Sequence, residues 1–190
     1  FQLETTTTFR PWIALWLNLA ADHLDRHPNI EAYADAKAPI FANQTPADWA
    51  VVNADDRVVM EKAAHAQAQR VLFSPSGAID QGFVGEGDWI VKRTATVRER
   101  MLPVSAIELT ARHMLHNVIA AAAVASIAGV RPDAMRRALD GFHGLEHVME
   151  PVATVNGVRF VNDSKATNVE AALRAVQSFE AGLIAILGGR

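Results

Sequence analysis

The stretch Trp49-Ala50-Val51-Val52-Asn53-Ala54-Asp55-Asp56 joins a short apolar run to a polar turn. An apolar run of this length, closed by turn-forming residues, is typical of a strand buried in a sheet. Residues 57–69 follow with helical spacing, and residues 70–73 return to an apolar run. Upstream, residues 12–19 predict another buried strand, and residues 22–43 carry a helical pattern in their middle. This alternation of strands and helices predicts an α/β sheet.

The composition indicates a soluble protein with one core, or one core and part of a second. The chain has 190 residues, 50% of them hydrophobic, a net charge of −3 and no cysteine. Disulfides and thiolate metal sites are therefore excluded, and a reducing compartment is compatible. Nothing in the charge balance suggests a nucleic-acid groove or an anionic membrane. Residues 118–130 form the longest apolar stretch and are too short to cross a bilayer. We expect a cytoplasmic protein.

The middle of the chain predicts a hairpin and then two helices. The hairpin is expected over residues 83–93, and the helices over residues 111–128 and 132–140, the second with Pro132 in its first turn and Gly141 at its end. Two interpretations of a local group of basic side chains stay open, a solvated strand face or an anion site. This group consists of Lys92, Arg93, Arg98 and Arg100.

A second unit is expected after the Gly-containing connector at residues 142–147. Asn156-Gly157 lies between two β-branched runs, which is a strong signal for a β-hairpin. Thr167 and Glu170 have the spacing of a capping box, so a helix is expected to begin at Thr167. The apolar run at residues 183–187 predicts a closing strand. Because this run ends in glycines and the chain opens without Met, we expect truncation at both ends.

The most reactive side chains of the sequence are grouped in residues 163–168, between a strand end and a helix start. Backbone N–H groups and the helix dipole make such a place suitable for an anion. Lys165 would add a positive charge, and Ser164 and Thr167 would add hydroxyls. A simple helix cap with a surface lysine is the alternative, and the spacing alone does not decide between them.

A second candidate group follows the first predicted strand, where α/β proteins place ligands. His23 could bind a divalent cation or serve as an ordinary loop histidine. His113 and His116 have a spacing that would suit a metal, but no third ligand lies near them in the sequence. No phosphate-binding loop of the G-x-x-x-x-G-K-[ST] type occurs in the chain.

Several segments together resemble the Mur ligases, in order and spacing. They are residues 1–4, 22–26, 33–37, 52–56, 113–121 and 162–168. The last, Asn-Asp-Ser-Lys-Ala-Thr-Asn, resembles the members of the family that add D-glutamate. The resemblance covers the whole chain.

The resemblance implies part of a P-loop-type central ATPase domain followed by the start of a Rossmann-like C-terminal domain. On this basis residues 1–146 are assigned to the central, ATP-binding domain. Residues 147–190 are assigned to the domain that binds the amino acid. The phosphate loop would precede residue 1, so residues 1–190 alone are expected to be inactive.

The implied activity is ATP-dependent addition of D-glutamate to UDP-N-acetylmuramoyl-L-alanine through an acyl phosphate, by a monomer that uses Mg²⁺. Glu4 and His23 would help bind magnesium. Lys37 matches a lysine that is carbamylated in the family, and carbamylation would turn this cation into a carboxylate-like metal ligand. Lys37 and His23 are therefore the implied catalytic residues.

The resemblance also implies binding roles for other residues. Asn117 matches an asparagine that contacts the nucleotide, and Asp163 lies on the nucleotide side of the third domain. Lys165 and Thr167 match residues that hold the carboxylates of D-glutamate, and Ser164 lies in the same motif.

Two departures from the family pattern keep other functions open. Val148 stands where an arginine that reaches the ATP phosphates is usual, and Met114 stands where an adenine-contacting asparagine is usual. These changes are compatible with a catalytically impaired homologue that binds a nucleotide-sugar or a protein partner. A ligase similar to folylpolyglutamate synthase is the other alternative, and residues 163–168 disfavour it.

Overall fold

The computed structural model describes residues 2–107, 114–142 and 144–188. Its larger sheet has six strands in the order β1-β2-β3-β4-β5-β6. The pairs β1–β2, β2–β3 and β3–β4 are parallel, and β4–β5 and β5–β6 are antiparallel. The six strands are β1 (Ile13–Trp16), β2 (Trp49–Asn53), β3 (Gln69–Ser74), β4 (Gly82–Glu86), β5 (Trp89–Arg93) and β6 (Arg98–Pro103). The predicted α/β class is confirmed.

Alternate side chains of β2 point to opposite faces of this sheet, and both faces are covered. Val51 belongs to a core cluster beneath helix α3 (Leu115–Ile127) and helix α4 (Pro132–Leu139). Ala50 and Val52 belong to a second cluster on the other face. Helix α2 (Arg57–Ala63) contributes Val59 to that second cluster. Burial on both faces explains why the parallel strands are almost wholly apolar.

The helix that follows β2 is shorter than the sequence predicts. Asp56 caps α2 and accepts hydrogen bonds from the N–H groups of Val58 and Val59. The helix ends at Ala63, whereas the predicted helix ran to Gln69. Gln69 instead begins β3 opposite Trp49. The chain must be extended there to start the parallel pairing, and this requirement overrides the helical pattern.

Two of the basic residues of the antiparallel strands, Arg93 and Arg98, form ion pairs with Glu86. The guanidinium of Arg93 lies 2.7 Å from Glu86, and that of Arg98 lies 3.2 Å from the same carboxylate. The hydrogen bond from Arg93 is the main reason that the pKa of Glu86 lies below its usual value. The predicted hairpin is confirmed, but β6 was not predicted because its first half is charged.

The second unit begins with the predicted hairpin. Strands β7 (Glu150–Val155) and β8 (Val158–Asn162) pair in an antiparallel two-stranded sheet. Asn156 and Gly157 both have positive φ, of 50° and 81°, as a tight primed turn requires. Helix α5 (Val169–Gln177) follows.

Two predictions for this unit are wrong. Asn168, not Thr167, caps α5, with its side-chain oxygen accepting from the N–H of Ala171. No strand forms at residues 183–187, where Ile184 and Ile186 are 89% and 97% exposed. A strand needs a neighbour for its backbone hydrogen bonds, and no other strand of the described residues pairs with this segment.

Among the described residues, no helix has both the length and the apolar character that crossing a membrane requires.

Candidate functional site

Tyr33 is the centre of a group of candidate side chains on one side of helix α1 (Ile30–Lys37). Its ring is 7% exposed. The His23 and His27 rings lie 5.8 Å and 5.2 Å from it, centroid to centroid. The Lys37 ammonium, one helical turn along, lies 4.6 Å from the Tyr33 centroid. His23 and Lys37, far apart in sequence, are therefore brought to one ring.

Glu4 joins this group through its neighbours rather than through Tyr33. Its carboxylate accepts a 2.6 Å hydrogen bond from Arg26 and lies 3.7 Å from Nδ1 of His27. The Arg26 hydrogen bond is the main cause that lowers the pKa of Glu4. A carboxylate that stays ionised is a suitable ligand for Mg²⁺.

Helix α1 is fixed at its start and along its outer face. Asn29 caps it by accepting from the N–H of Ala32. The Lys62 ammonium, on α2, binds Glu31 and lies 2.7 Å from Asp35, both on α1. Hydrogen bonding to Asp35, then to Glu31, raises the pKa of Lys62. These contacts fix the start of α1 and hold its outer face against α2.

The fit of a metal ion depends on the chemical form of Lys37. The described residues hold no group of three His, Asp, Glu or Cys side chains that could bind one. Glu4 and His23 supply an oxygen and a nitrogen donor, whereas a Lys37 ammonium repels a cation. A carbamate on Lys37 would add an oxygen donor, and that set suits Mg²⁺. Nearby, Nε2 of His27 is buried without a hydrogen-bond partner among the described atoms.

The segment at residues 162–168 folds as a turn against the start of β7. One carboxylate oxygen of Asp163 accepts a 3.0 Å hydrogen bond from the N–H of Met149. The N–H of Lys165 donates to the carbonyl of His147 at 3.1 Å. Ser164, Lys165 and Thr167 are exposed. The backbone is thus held in place while these three side chains face outward.

Sequence reasoning missed the polar group that supports this turn. Asn162 Nδ2 lies 2.8 Å from Nδ1 of His147 and 3.3 Å from a Glu150 oxygen. Glu150 also accepts from the N–H of His147 at 2.8 Å. His147 has a φ of 66°, which is uncommon for a residue with a side chain. The positive φ of His147 marks this junction in the structure. The sequence contains no signal for it.

Asp22 and Asn168 connect the two candidate groups. Nδ2 of Asn168 donates to Oδ2 of Asp22 at 3.1 Å. Oδ1 of Asp22 accepts from the N–H of His23 at 2.8 Å. The loop that carries His23 and the turn that carries Lys165 and Thr167 are therefore joined by one hydrogen bond.

Asn117 lies in the first turn of α3, the helix that packs on β2, β3 and β4. It is exposed, and its amide contacts Met114 Sδ at 3.8 Å. His113 lies outside the described residues, so its predicted pairing with His116 stays a prediction.

A hydrogen-bonded carboxylate occupies the ends of strands β2 and β3. Asp55 accepts from the hydroxyls of Ser74 and Ser76, at 2.6 Å and 2.8 Å. Burial raises the pKa of Asp55, but these bonds, the Ser76 N–H and the nearby His116 outweigh it, so the net pKa is lowered.

Two solved structures share the fold of this chain. MurF from Acinetobacter baumannii superposes with a TM-score of 0.69 at 20% identity, over 90% of this chain and 38% of that one. A mutant of L. casei FPGS superposes with a TM-score of 0.59 at 20% identity, over 88% and 42% of the two chains. At this identity the likeness concerns the fold, an α/β domain that both proteins contain.

The family follows from the sequence comparison. Residues 2–125 match the model of the Mur ligase middle domain. The chain therefore belongs to the Mur ligase family.

Relatives align along the whole chain. The UDP-N-acetylmuramoylalanine–D-glutamate ligase of Acidobacterium capsulatum is 46% identical, over 100% of this chain and 42% of its own length. The ligase of the same name from Koribacter versatilis is 43% identical over the same shares. The chain thus spans less than half the length of these relatives.

Proposed function

We propose that the complete protein joins D-glutamate to UDP-N-acetylmuramoyl-L-alanine in an ATP-dependent reaction, as a step of peptidoglycan precursor synthesis. The observation that carries this proposal is the 46% identity along the whole chain to a relative named for that reaction. The sequence of residues 162–168 supports the same amino acid. Because the reaction uses ATP, we place it in the cytoplasm.

In this proposal residues 1–146 belong to the ATP-binding domain and residues 147–190 to the domain that binds the amino acid. The end of the family-model match at residue 125 is compatible with such a division. Asn117, exposed on the first turn of α3, would contact the nucleotide. Asp163 would approach it from the second unit. The N–H of Met149 donates to one oxygen of the Asp163 carboxylate, which restrains this side chain.

Glu4, His23 and a carbamylated Lys37 would hold Mg²⁺. The ion would neutralise phosphoryl charge while the γ-phosphate is transferred. Tyr33 contacts His23 and the unmodified Lys37, and Arg26 keeps Glu4 ionised.

Lys165 and Thr167, with Ser164, would bind the carboxylates of D-glutamate. An ammonium and hydroxyls near the start of α5 favour carboxylates through charge-assisted hydrogen bonds. The turn is anchored through its backbone to His147, so these side chains are available on its exposed side.

Two other functions remain as candidates for the same fold. Val148, at the position of the usual arginine, favours an impaired homologue that binds a nucleotide-sugar or a protein partner. The likeness to L. casei FPGS is compatible with a ligase acting on a different acceptor. Identity to the D-glutamate ligases along the whole chain favours the first proposal over both.

A panel of substrates separates these possibilities. The complete protein is incubated with ATP, Mg²⁺, an acceptor and an amino acid, and the product is identified by mass spectrometry. The acceptor is either UDP-N-acetylmuramoyl-L-alanine or a folate, and the amino acid is D-glutamate, L-glutamate or L-alanine. We expect product with D-glutamate. Product only with a folate acceptor and L-glutamate would support the second alternative, and nucleotide binding without any product would support the impaired homologue.

A further inference from the structure

We infer that Asn168 and Asp22 form a latch that keeps the His23 loop and the Lys165 turn in register. Asn168 is then a positioning residue for the proposed reaction, and this inference rests on the proposed function for its catalytic consequence. The latch is the 3.1 Å hydrogen bond from Nδ2 of Asn168 to Oδ2 of Asp22, between residues 146 positions apart.

Asn168 uses both ends of its amide. The oxygen accepts from the N–H of Ala171 at 2.8 Å and caps α5. The nitrogen donates to Asp22. One side chain therefore fixes the start of α5 and ties that start to the other unit. The side chain is half-buried, so water competes only in part for the bond.

Asp22 is likewise shared between two partners. Its Oδ1 accepts from the N–H of His23, and its Oδ2 lies 3.9 Å from Nε2 of the same histidine. His23 has a φ of 53°, a conformation that non-glycine residues adopt only when their surroundings hold them. The carboxylate of Asp22 helps supply that constraint. A displacement of Asn168 would therefore change the position of His23 through one intervening side chain, that of Asp22.

The oxygen of the Asn168 amide caps α5 and its nitrogen donates to Asp22, so substitutions can remove one hydrogen bond and keep the other. Ser and Asp are good N-cap residues, so Asn168→Ser and Asn168→Asp keep the cap and lose the amide donor. Asn168→Asp also places a carboxylate beside Asp22. In the double variant Asn168→Asp with Asp22→Asn, the new amide at position 22 can donate to the new carboxylate and still accept from His23. The double variant therefore restores the hydrogen bond with donor and acceptor exchanged between positions 22 and 168.

The first measurement is amide hydrogen exchange by mass spectrometry in the peptides that cover residues 20–28 and 169–177. We expect Asn168→Ser to raise exchange in residues 20–28 by about three- to tenfold, as the loss of one hydrogen bond implies, with little change in residues 169–177. Asn168→Asp should raise it further, and the double variant should return it toward the parent value. Ser178→Ala, at the other end of α5, is the matched control and should leave residues 20–28 unchanged.

Unchanged exchange in residues 20–28 for both Asn168→Ser and Asn168→Asp would overturn the latch. No recovery in the double variant would also count against it. Circular dichroism shows whether each variant is folded, and Asn168→Ser is the variant that retains all charges if Asn168→Asp does not fold.

The second measurement is turnover of the complete protein. Asn168→Ser should raise the KM for D-glutamate and lower kcat, with the KM for ATP nearly unchanged. Altered exchange with parental kinetics would show a contact without a role in the reaction and would overturn the positioning assignment. If the parent protein makes no amide with D-glutamate, the proposed function fails, while the exchange data still decide whether the latch exists.

Discussion

The ammonium of Lys37 lies 4.6 Å from the centre of the Tyr33 ring, one helical turn away on α1. A cation over an aromatic face is held by the ring quadrupole, so the ring fixes the direction of the lysine side chain. The same ring contacts His23 and His27. Lys37 and His23 are therefore connected through their contacts with one shared ring.

We predict that Lys37→Ala inactivates the complete protein and that short carboxylates restore part of the activity. Removal of one metal-supporting group is expected to cost about 10- to 100-fold or more in turnover. Formate or acetate could take the place of the missing carbamate oxygen. Lys92→Ala, on β5 and away from Tyr33, is the control and should retain activity. Parental turnover in Lys37→Ala would remove Lys37 from the mechanism.

We predict that the Tyr33 ring, rather than its hydroxyl, supports this part of the fold. Replacement of a buried aromatic side chain by alanine typically lowers the free energy of unfolding by about 3–5 kcal/mol. We expect a loss in this range for Tyr33→Ala and a much smaller one for Tyr33→Phe, both measured by urea unfolding. Equal losses in the two variants would mean that the hydroxyl is the main contribution.

We predict that Lys165→Ala raises the KM for D-glutamate and lowers kcat. A hydrogen bond to a charged group is worth about 1.5–3 kcal/mol, which corresponds to roughly 10- to 150-fold. The KM for ATP should change little. Arg159→Ala, at an exposed position of β8, removes a positive charge from the same unit and should leave both constants near the parent values. A similar rise in KM for ATP and D-glutamate would indicate a collapsed unit rather than a lost ligand contact.

We predict that Asp48 contributes stability that disappears in acid. The Arg10 guanidinium, 2.7 Å away, and then the Thr45 N–H lower the pKa of Asp48 to about 2. The folded pKa lies below the unfolded value of about 3.9, so the contribution is complete above that value and is lost as the pH falls toward the folded pKa. Asp48→Asn should lower the melting temperature at pH 6.

The difference in melting temperature between the parent and Asp48→Asn should shrink from about pH 4 to about pH 2. Exposed Asp80 provides the control, since Asp80→Asn removes the same formal charge and should change the melting temperature little at any of these pH values. A difference that stays constant down to pH 2 would contradict the assignment to the Arg10–Asp48 pair.

The sheet could be predicted from sequence where burial on both faces leaves a continuous apolar run. Residues 49–53 are such a run, and the predicted and observed strands coincide. Strand β6 was missed because Arg98, Glu99 and Arg100 face solvent at the edge of the sheet. The run at residues 183–187 was predicted to be a strand on the same reasoning as residues 49–53, but it lacks a paired neighbour among the described residues.

The candidate site was predictable only in its local parts. The resemblance to the Mur ligases assigned Glu4, His23 and Lys37 to one site. In the structure His23 and Lys37 contact the Tyr33 ring, and Glu4 lies beside His27. The capping box pointed to Thr167, whereas Asn168 caps α5 and its amide nitrogen also donates to Asp22. A contact between residues 146 positions apart leaves no local pattern, so sequence reasoning could not find it.

The most direct test of the proposed reaction is the fate of an oxygen atom. UDP-N-acetylmuramoyl-L-alanine labelled with ¹⁸O in its free carboxylate is incubated with the complete protein, ATP, Mg²⁺ and D-glutamate, and the released phosphate is examined by ³¹P NMR. If the carboxylate attacks the γ-phosphate and D-glutamate then displaces phosphate from the acyl group, each phosphate carries one ¹⁸O and the amide product retains the other. Phosphate without ¹⁸O, or labelled phosphate that forms without any need for D-glutamate, would contradict the proposed function.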